Sequence, residues 1–467
     1  MDSTPWNDLA AVFGLDDARV RVTGGEPSTR SPHRLAESMA AAMAACGAAA
    51  ARMAELRGAP ARAVEVDTSA ALLQLMAAFA TRQGGVAAVT TMEDPHLIGD
   101  SDFYRCADDR WIFLLLSYPH LRDRALRVLQ CPPDREAIAA AVARWEALDL
   151  EDAIAAVGGT ATMARSASEW TASAAGRALV GTPVVHIDRT GRAAPRRRAA
   201  LGDADAPLSG VRVVDLTHVI AGPVAARLTA EHGAEVLHLS RPDRPDPNAM
   251  IVETGRGKRN AYCDLRTTAG RQVLADLLTT ADVVVHSYRH LERFGLDAEQ
   301  LARTHPGIVF ADVHGWGADG PWSERGGFDQ LACAATGFAL DEGDGTPALP
   351  PTYLLNDYIA AFLLAAGIET ALARQMTDGG SWHVHVDLAR VCTWVQAQGA
   401  SPMQRRDTVD DLRDRLADID LVTADGPFGT VEYLPSQVRT TPPWTERATA
   451  SAPLGSAAPR WSTAVRT

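Results

Sequence analysis

From residue 209 onward, short apolar runs alternate with segments whose apolar residues recur at helical spacing. "VRVVDL" is an apolar run with β-branched residues and reads as a strand. "AGPVAARLTAEHG" reads as a helix with Pro223 near its first turn and Gly233 past its end, and "AEVLHLS" as a second strand. The alternation continues through "NAYCDL", "TAGRQVLADLLTT", "ADVVVHSY", "DAEQLARTH" and "GIVFADVHGWG". Strands separated by helices of this length imply a parallel sheet covered on both faces. The pattern predicts a Rossmann-like α/β domain over residues 209–395.

The first 200 residues have a different texture, rich in alanine and arginine. "HRLAESMAAAMAACGAAAARMAELRG" (33–58) holds strong helix formers without proline and predicts a helix or helical hairpin. "ARAVEVDTSAALLQLMAAFATR" reads as a short strand turning into a helix, "DDRWIFLLLS" as a strand and "DREAIAAAVARWEAL" as a further helix. "DRTGRAAPRRRAALGDADAPLS" (187–208) is polar, basic and contains proline, so it reads as a linker, with Arg196, Arg197 and Arg198 as a solvated run.

The two textures share a pattern. Sliding the chain by 320 residues sets residues 35–70 on 355–390 without a gap, with nine identities in thirty-six positions. Four are alanine matches that composition inflates; the paired glycines Gly47 and Gly367 and the shared Val-x-Val-Asp are more telling. The spacing predicts an internal duplication in which Glu37 lies opposite Asp357.

Length and composition narrow the possibilities. A chain of 467 residues suggests two or three globular domains. No run reaches the roughly eighteen apolar residues of a membrane span, and the acidic start "MDSTPWNDLAAVFGLDD" lacks the form of an export signal, which points to the cytoplasm. A formal net charge of −13 disfavours nucleic-acid binding, since a phosphate backbone needs a positive footprint. Cys46, Cys106, Cys131, Cys263, Cys333 and Cys392 form no CxxC pair and read as buried thiols rather than as disulfides or a metal knuckle.

Candidate chemistry follows from what is present and what is missing. "THVIAGP" after the first strand of the α/β part replaces the GxGxxG of a dinucleotide site, and P-loop, GxSxG, HExxH and Cys/His metal spacings are missing, so no metal site is expected. Basic residues recur after strands: Arg241, Lys258, Arg259, Arg266, Arg289 and Arg293. Strand carboxyl ends are where open parallel sheets bind ligands, so a polyanion carrying phosphates would suit that edge, although surface residues serving solubility would read the same way. In "PPTYLLNDYIAAFLLAAGI", Asp357 is an acid at the mouth of an apolar helix, where Asn356 or Asp357 could simply cap free N–H groups.

Together these blocks resemble class III CoA-transferases, the family of formyl-CoA and carnitine CoA-transferases and α-methylacyl-CoA racemase. The resemblance rests on "PLSGVRVVDLTHVIAGPVAARLTAEHGAEVLHLSRP", "GRGKRNAYCDLRTTAGRQVLADLLTTADVVVHSY", "LERFGLDAEQLARTHPGIVFADVHGWGADGPWSERGGFDQLACAATG" and "LLNDYIAAFLLAAGIETALARQ", and covers about residues 207 to 395. It implies a Rossmann-like CoA-binding domain plus a smaller α+β domain, and a nucleophilic carboxylate at Asp357 that forms an acyl anhydride. It further implies that His218 and Val219 lie beside the CoA thioester arm, that Arg241, Arg266 and Arg293 meet the nucleotide and phosphates, and that Arg325 is a pyrophosphate contact. Acyl-CoA and a free carboxylic acid would be the partners, coenzyme A a substrate with no cofactor tightly bound, and a homodimer the assembly.

The departures are informative. The loop "SYRHLERFG" is shorter than the family's Asn-Phe-Arg-Pro-Gly stretch, so the nucleotide loop must take a different path. Phe328 stands where the racemase branch has a histidine base, which argues for transfer over racemisation. The order also differs: residues 1–32 form an N-terminal segment and 33–186 resemble the family's second half, ahead of linker 187–208 and the 209–395 domain. A tail segment, 396–467, resembles only the end of that second half. The chain thus reads as a permuted or partly duplicated CoA-transferase, with Glu37 structural. The alternatives are a CoA-ester isomerase or racemase on the same scaffold, and a non-catalytic CoA-binding subunit.

Overall fold

The computed structural model describes residues 5–91, 99–202, 205–402, 410–417, 419–444 and 449–462. After a short helix, Pro5–Phe13, come strand β1 (Val20–Thr23), helix α1 (Leu35–Leu56) and strand β2 (Ala63–Asp67). An antiparallel sheet of Asp102–Arg105, Trp111–Leu114 and Ala161–Met163 follows, backed by helices Pro119–Leu129, Arg135–Val142 and Ala147–Ala156. The helix expected over "DREAIAAAVARWEAL" therefore ends at Val142, and a second begins at Ala147. Strand β3 (His186–Gly191) closes this part of the chain.

The α/β part contains β4 (Arg212–Leu216), α2 (Ala221–Glu231), β5 (Glu235–Ser240), β6 (Arg259–Tyr262), β7 (Val283–His286) and β8 (Val309–His314). It ends with α3 (Asn356–Thr377) and β9 (Ser381–Asp387), and β10 (Val438–Thr441) lies in the tail. The main sheet runs β6-β5-β4-β7-β8-β9-β3. Its first six strands are parallel, and relative to β4 their order is the 3-2-1-4-5-6 of a doubly wound fold. The triple valine of β7 is buried throughout, as a strand covered on both faces requires.

The seventh strand, β3, pairs antiparallel with β9. All but its first residue falls in the segment expected to be a linker; an edge strand with one exposed face needs few apolar residues, so its sequence looked like loop. The arginine run is also not wholly solvated. Arg196 Nη1 lies 2.8 Å and Arg198 Nη2 3.2 Å from Oδ1 of Asp282, which is fully buried and would be costly to leave unpaired.

Helices α1 and α3 pack side by side, and α2 packs on α3. Both long helices are apolar almost all round, the signature of a helix enclosed by protein. Each is long and apolar enough to cross a membrane, yet most of each is buried within the structure. A fully buried leucine such as Leu363 contributes about 2 kcal/mol.

The duplication is visible in three dimensions. Strand β2 pairs parallel with β1 and antiparallel with β10; β9 pairs parallel with β8 and antiparallel with β3. A Cβ on Gly47 would stand 3.0 Å from Val64 of β2, and one on Gly367 would run into Val384 of β9, again 320 residues on. The small β1-β2-β10 sheet thus repeats the β8-β9-β3 end of the large one. Each repeat takes its antiparallel edge strand from the other part of the chain.

Candidate active site

Helix α3 enters the core with its first turn between the α1 layer and helix Asp329–Thr336. Asp357, its second residue, is buried, only 6% exposed. The first-turn amides are satisfied from outside the helix. Asp329 Oδ2 accepts the N–H of Leu355 at 2.9 Å and of Asp357 at 2.8 Å, and Asn356 Nδ2 donates to Asp329 Oδ1 at 3.3 Å. Asp329 is therefore the cap, and neither Asn356 nor Asp357 caps its own helix. Among the described residues none donates a hydrogen bond to the Asp357 carboxyl.

This arrangement alters the electrostatics expected from sequence. The first-turn amides that could hold Asp357 ionised are taken by Asp329. Burial, reinforced by the neighbouring Asp329 charge, pushes the Asp357 carboxyl well above the usual range. Burial also raises Asp329 to about 6, opposed by the amides of Asp357, Leu355 and Asn356. Two acids in one dry pocket favour holding a proton between them.

The first part of the chain supplies the opposite wall. The Tyr118 ring is tilted against that of Phe328 with centroids 5.9 Å apart, and burial, with the charges of Asp246 and Asp357, pushes its phenol up. Phe79 meets Tyr353 edge-on at 5.9 Å, and Tyr353 holds φ at +62°, a left-handed conformation rare for a bulky side chain. Tyr358 faces Glu253 and Arg227 instead. Phe328 provides an aromatic surface and no titratable group.

The edge after β4 carries the predicted thioester-arm residues. His218 stacks on Tyr288 with ring centroids 4.4 Å apart, and its Nδ1 lies 2.9 Å from Ser287 Oγ. Burial lowers its pKa, keeping the imidazole neutral near pH 7. Val219 is held at φ +72°, its N–H donated to Asp246 Oδ2 at 3.1 Å. Val219 and Tyr353 thus both hold a left-handed backbone that bulky or β-branched residues rarely adopt.

The predicted phosphate arginines divide into three groups. Arg241 and Arg266 share Asp243, at 2.7 and 3.2 Å, and Arg266 also pairs with Asp264 at 2.7 Å, forming one exposed ladder. Arg293 is exposed and lies over the Phe294 ring at 4.8 Å. Arg325 instead bridges Glu151 and Asp152 of the first part, so its charge is already matched. Lys258, also noted at the sheet edge, is buried against Asp215 at 2.8 Å.

Sequence reasoning passed over other basic groups. His120, Arg124 and Arg127, from helix Pro119–Leu129, line an open cavity of about 750 Å³ with Arg244 of the loop after β5. The arginine spacing in "PHLRDRALRVL" was the available signal.

Glu37, the counterpart of Asp357, is differently placed. Arg34 Nη1 lies 2.8 Å from its Oε2, where the α3 repeat has Leu354, 320 residues on. Glu26 caps α1 by accepting the N–H groups of Ala36 and Glu37 at 3.0 and 2.9 Å, as Asp329 does for α3.

The family model for CoA-transferase family III matches the chain twice, over residues 10–200 and 208–417. An acetyl-coenzyme A transferase, nodX, of Hypoxylon pulicicidum is 34% identical over 198 residues, 40% of this chain and 33% of that one. The alpha subunit of succinyl-CoA–L-malate CoA-transferase from Chloroflexus aurantiacus is 33% identical over 202 residues, 40% of this chain and 47% of that one. The crystal structure of a hypothetical protein, Rv3272, from Mycobacterium tuberculosis superposes with a TM-score of 0.39 and 28% identity, covering 42% of this chain and 58% of that one. The chain spans between a third and a half of the length of these two curated relatives.

Proposed function

This chain belongs to CoA-transferase family III, and on that premise we propose that it moves coenzyme A from a donor acyl-CoA to an acceptor carboxylic acid, with Asp357 as nucleophile. One observation carries the reading. Asp357 is a buried acid whose oxygens are uncommitted, whereas Asp215 is bound to Lys258, Asp246 to the Val219 amide, Asp264 to Arg266 and Asp282 to Arg196 and Arg198.

The chemistry runs on carboxylate exchange. Ionised Asp357 attacks the thioester carbonyl; the C–S bond breaks, CoA leaves as the thiolate and a mixed anhydride remains. The thiolate attacks the aspartyl carbonyl of that anhydride, releasing the donor acid and forming an aspartyl-CoA thioester. The acceptor carboxylate then attacks this thioester, and the expelled thiolate captures the acceptor's acyl group to restore Asp357. A raised pKa makes Asp357 a stronger base and a better nucleophile once its proton is lost. The aromatic walls of Tyr118, Phe328 and Tyr353 would exclude water from the anhydride.

Arg124, Arg127 and Arg244 around the cavity offer charge for the phosphates of CoA; Arg241 and Arg266 at the sheet edge would join them by exchanging Asp243 and Asp264 for phosphate oxygens. His218 and Val219 follow β4 at the sheet edge and would flank the thioester arm. Phe328 offers no second base across an α-carbon, which favours transfer over racemisation.

The test is chemical trapping. Incubation with acyl-CoA and hydroxylamine should leave a hydroxamate on Asp357, read by mass spectrometry of the digested protein. Asp357→Ala should abolish transfer while still binding CoA; a fully active variant would remove the assignment.

A further inference from the structure

The face of the main sheet opposite α1 and α3 carries a concentration of imidazoles that the proposed transfer chemistry does not use. Across four adjacent strands, His286 of β7, Asp312 of β8, His385 of β9 and His186 of β3 stand opposite one another in register. Side chains alternate along a strand, so His314, His383 and Asp387 point to the same face. The opposite face, with Val285, Val313, Val384 and Val386, packs into the apolar core. A parallel sheet covered by helices has no structural need for these residues, and burying so many polar rings carries a cost unless they are satisfied.

We propose that Asp312, His314 and His385 form a binding site for a divalent first-row transition metal ion of the zinc or cobalt type. One ligand atom from each lies within 4.8 Å of the other two. His314 Nδ1 stops 4.0 Å from Asp312 Oδ1, too far for a hydrogen bond and a little wider than the roughly 3.3 Å between two ligand atoms of a tetrahedral ion, so a small turn of the ring brings it into range. The His314 and His385 rings are 5.3 Å apart, edge to face. Among the described residues, the buried Nε2 of His314 has no hydrogen-bond partner. Two imidazoles and a carboxylate form a donor set for zinc, cobalt or nickel rather than for magnesium or calcium.

The surroundings have the supporting contacts of a metal centre. His385 Nε2 lies 2.9 Å from Asp387 Oδ2, a close charge contact that is not aligned as a hydrogen bond, and Asp387 Oδ1 accepts the Gly317 N–H at 2.7 Å. His383 Nε2 lies 2.5 Å from Asp312 Oδ2, fixing that carboxylate from its other oxygen, and His385 Nδ1 touches Oδ1. The sequence search for metal spacings missed the site because its ligands lie on two strands about seventy residues apart and only the sheet register joins them. A bound ion would tie β8 to β9 where the segment leading to Arg325 and Asp329 leaves the sheet.

Full-length protein stripped with a chelator, and shown to be folded by circular dichroism, would be titrated with Co²⁺. The site should take up one equivalent per chain with the visible absorption of a low-coordinate cobalt centre, and Zn²⁺ should displace it. His314→Gln and Asp387→Asn should each weaken binding about tenfold or more. His314 is partly exposed, so its variant keeps the test open if His385→Gln fails to fold. Failure to bind one equivalent, or equal affinity in His314→Gln, would overturn the assignment. A thiolate charge-transfer band would do the same, by placing the ion at Cys46, His232 and Glu369.

Discussion

The backbone N–H of Asp357 donates to the carboxylate of Asp329 at 2.8 Å, so the group that orders the start of α3 is also a like charge beside the proposed nucleophile. The same contact organises the site and raises the proton affinity of Asp357.

Asp329→Asn separates these two effects. An amide oxygen can still accept the Leu355 and Asp357 amides, so α3 stays capped, but the like charge is gone. The rate of transfer should rise with pH as Asp357 ionises, and in the variant that rise should move to lower pH. The measurement is kcat/KM against pH for both proteins. An unmoved limb would mean that Asp329 is not the source of the field.

Asp357→Asn should lose transfer and gain stability. Both acids are raised in the folded state, Asp329 to about 6, so the fold binds their protons more tightly than the unfolded chain does. Their contribution is complete below about pH 4 and is lost as pH rises through 6 and above. Asn removes the second charge, so the variant should be more stable by about 1 kcal/mol at pH 8 and no more stable at pH 4. Thermal melts at the two pH values would show this, and a variant less stable at pH 8 would contradict it.

Arg124 and Arg244 face one cavity from different parts of the chain. If they hold CoA phosphates, Arg244→Ala should raise KM for acyl-CoA about tenfold, the loss of one charge-assisted contact, and leave kcat nearly unchanged. Arg325→Ala should act through stability instead, because its guanidinium is matched by Glu151 and Asp152. Equal effects on KM from the two variants would remove the distinction.

Elements governed by local pattern were legible in the sequence. Helix α1 was expected over 33–58 and spans Leu35–Leu56, and the strand–helix alternation from residue 209 gives the doubly wound sheet. The repeat was legible because Gly47 and Gly367 each let a helix approach a strand valine, a steric demand that only glycine meets. What was hidden depends on partners distant in the chain. The cap of α3 comes from Asp329, the Arg196 and Arg198 charges are drawn to buried Asp282, and Tyr118 reaches the cleft from the other repeat. None of these contacts leaves a local spacing. The C-terminal tail segment lies in part outside the described residues.

The exchange of edge strands gives the last prediction. Strand β3 belongs by sequence to the first part of the chain but completes the large sheet, and β10, from the tail, completes the small one. Cutting the chain between Ala200 and Leu208 leaves both exchanged strands in place while removing the covalent link. Residues 1–200 and 205–467 produced together as two polypeptides should therefore assemble into a one-to-one complex with transfer activity. Produced alone, each would expose an unpaired strand edge and the apolar surface between α1 and α3, and should aggregate. Size-exclusion chromatography of the co-produced pair reads the outcome. Two fragments that fold separately and do not associate would show that the repeats are independent and that Tyr118 is not held at the cleft by strand exchange.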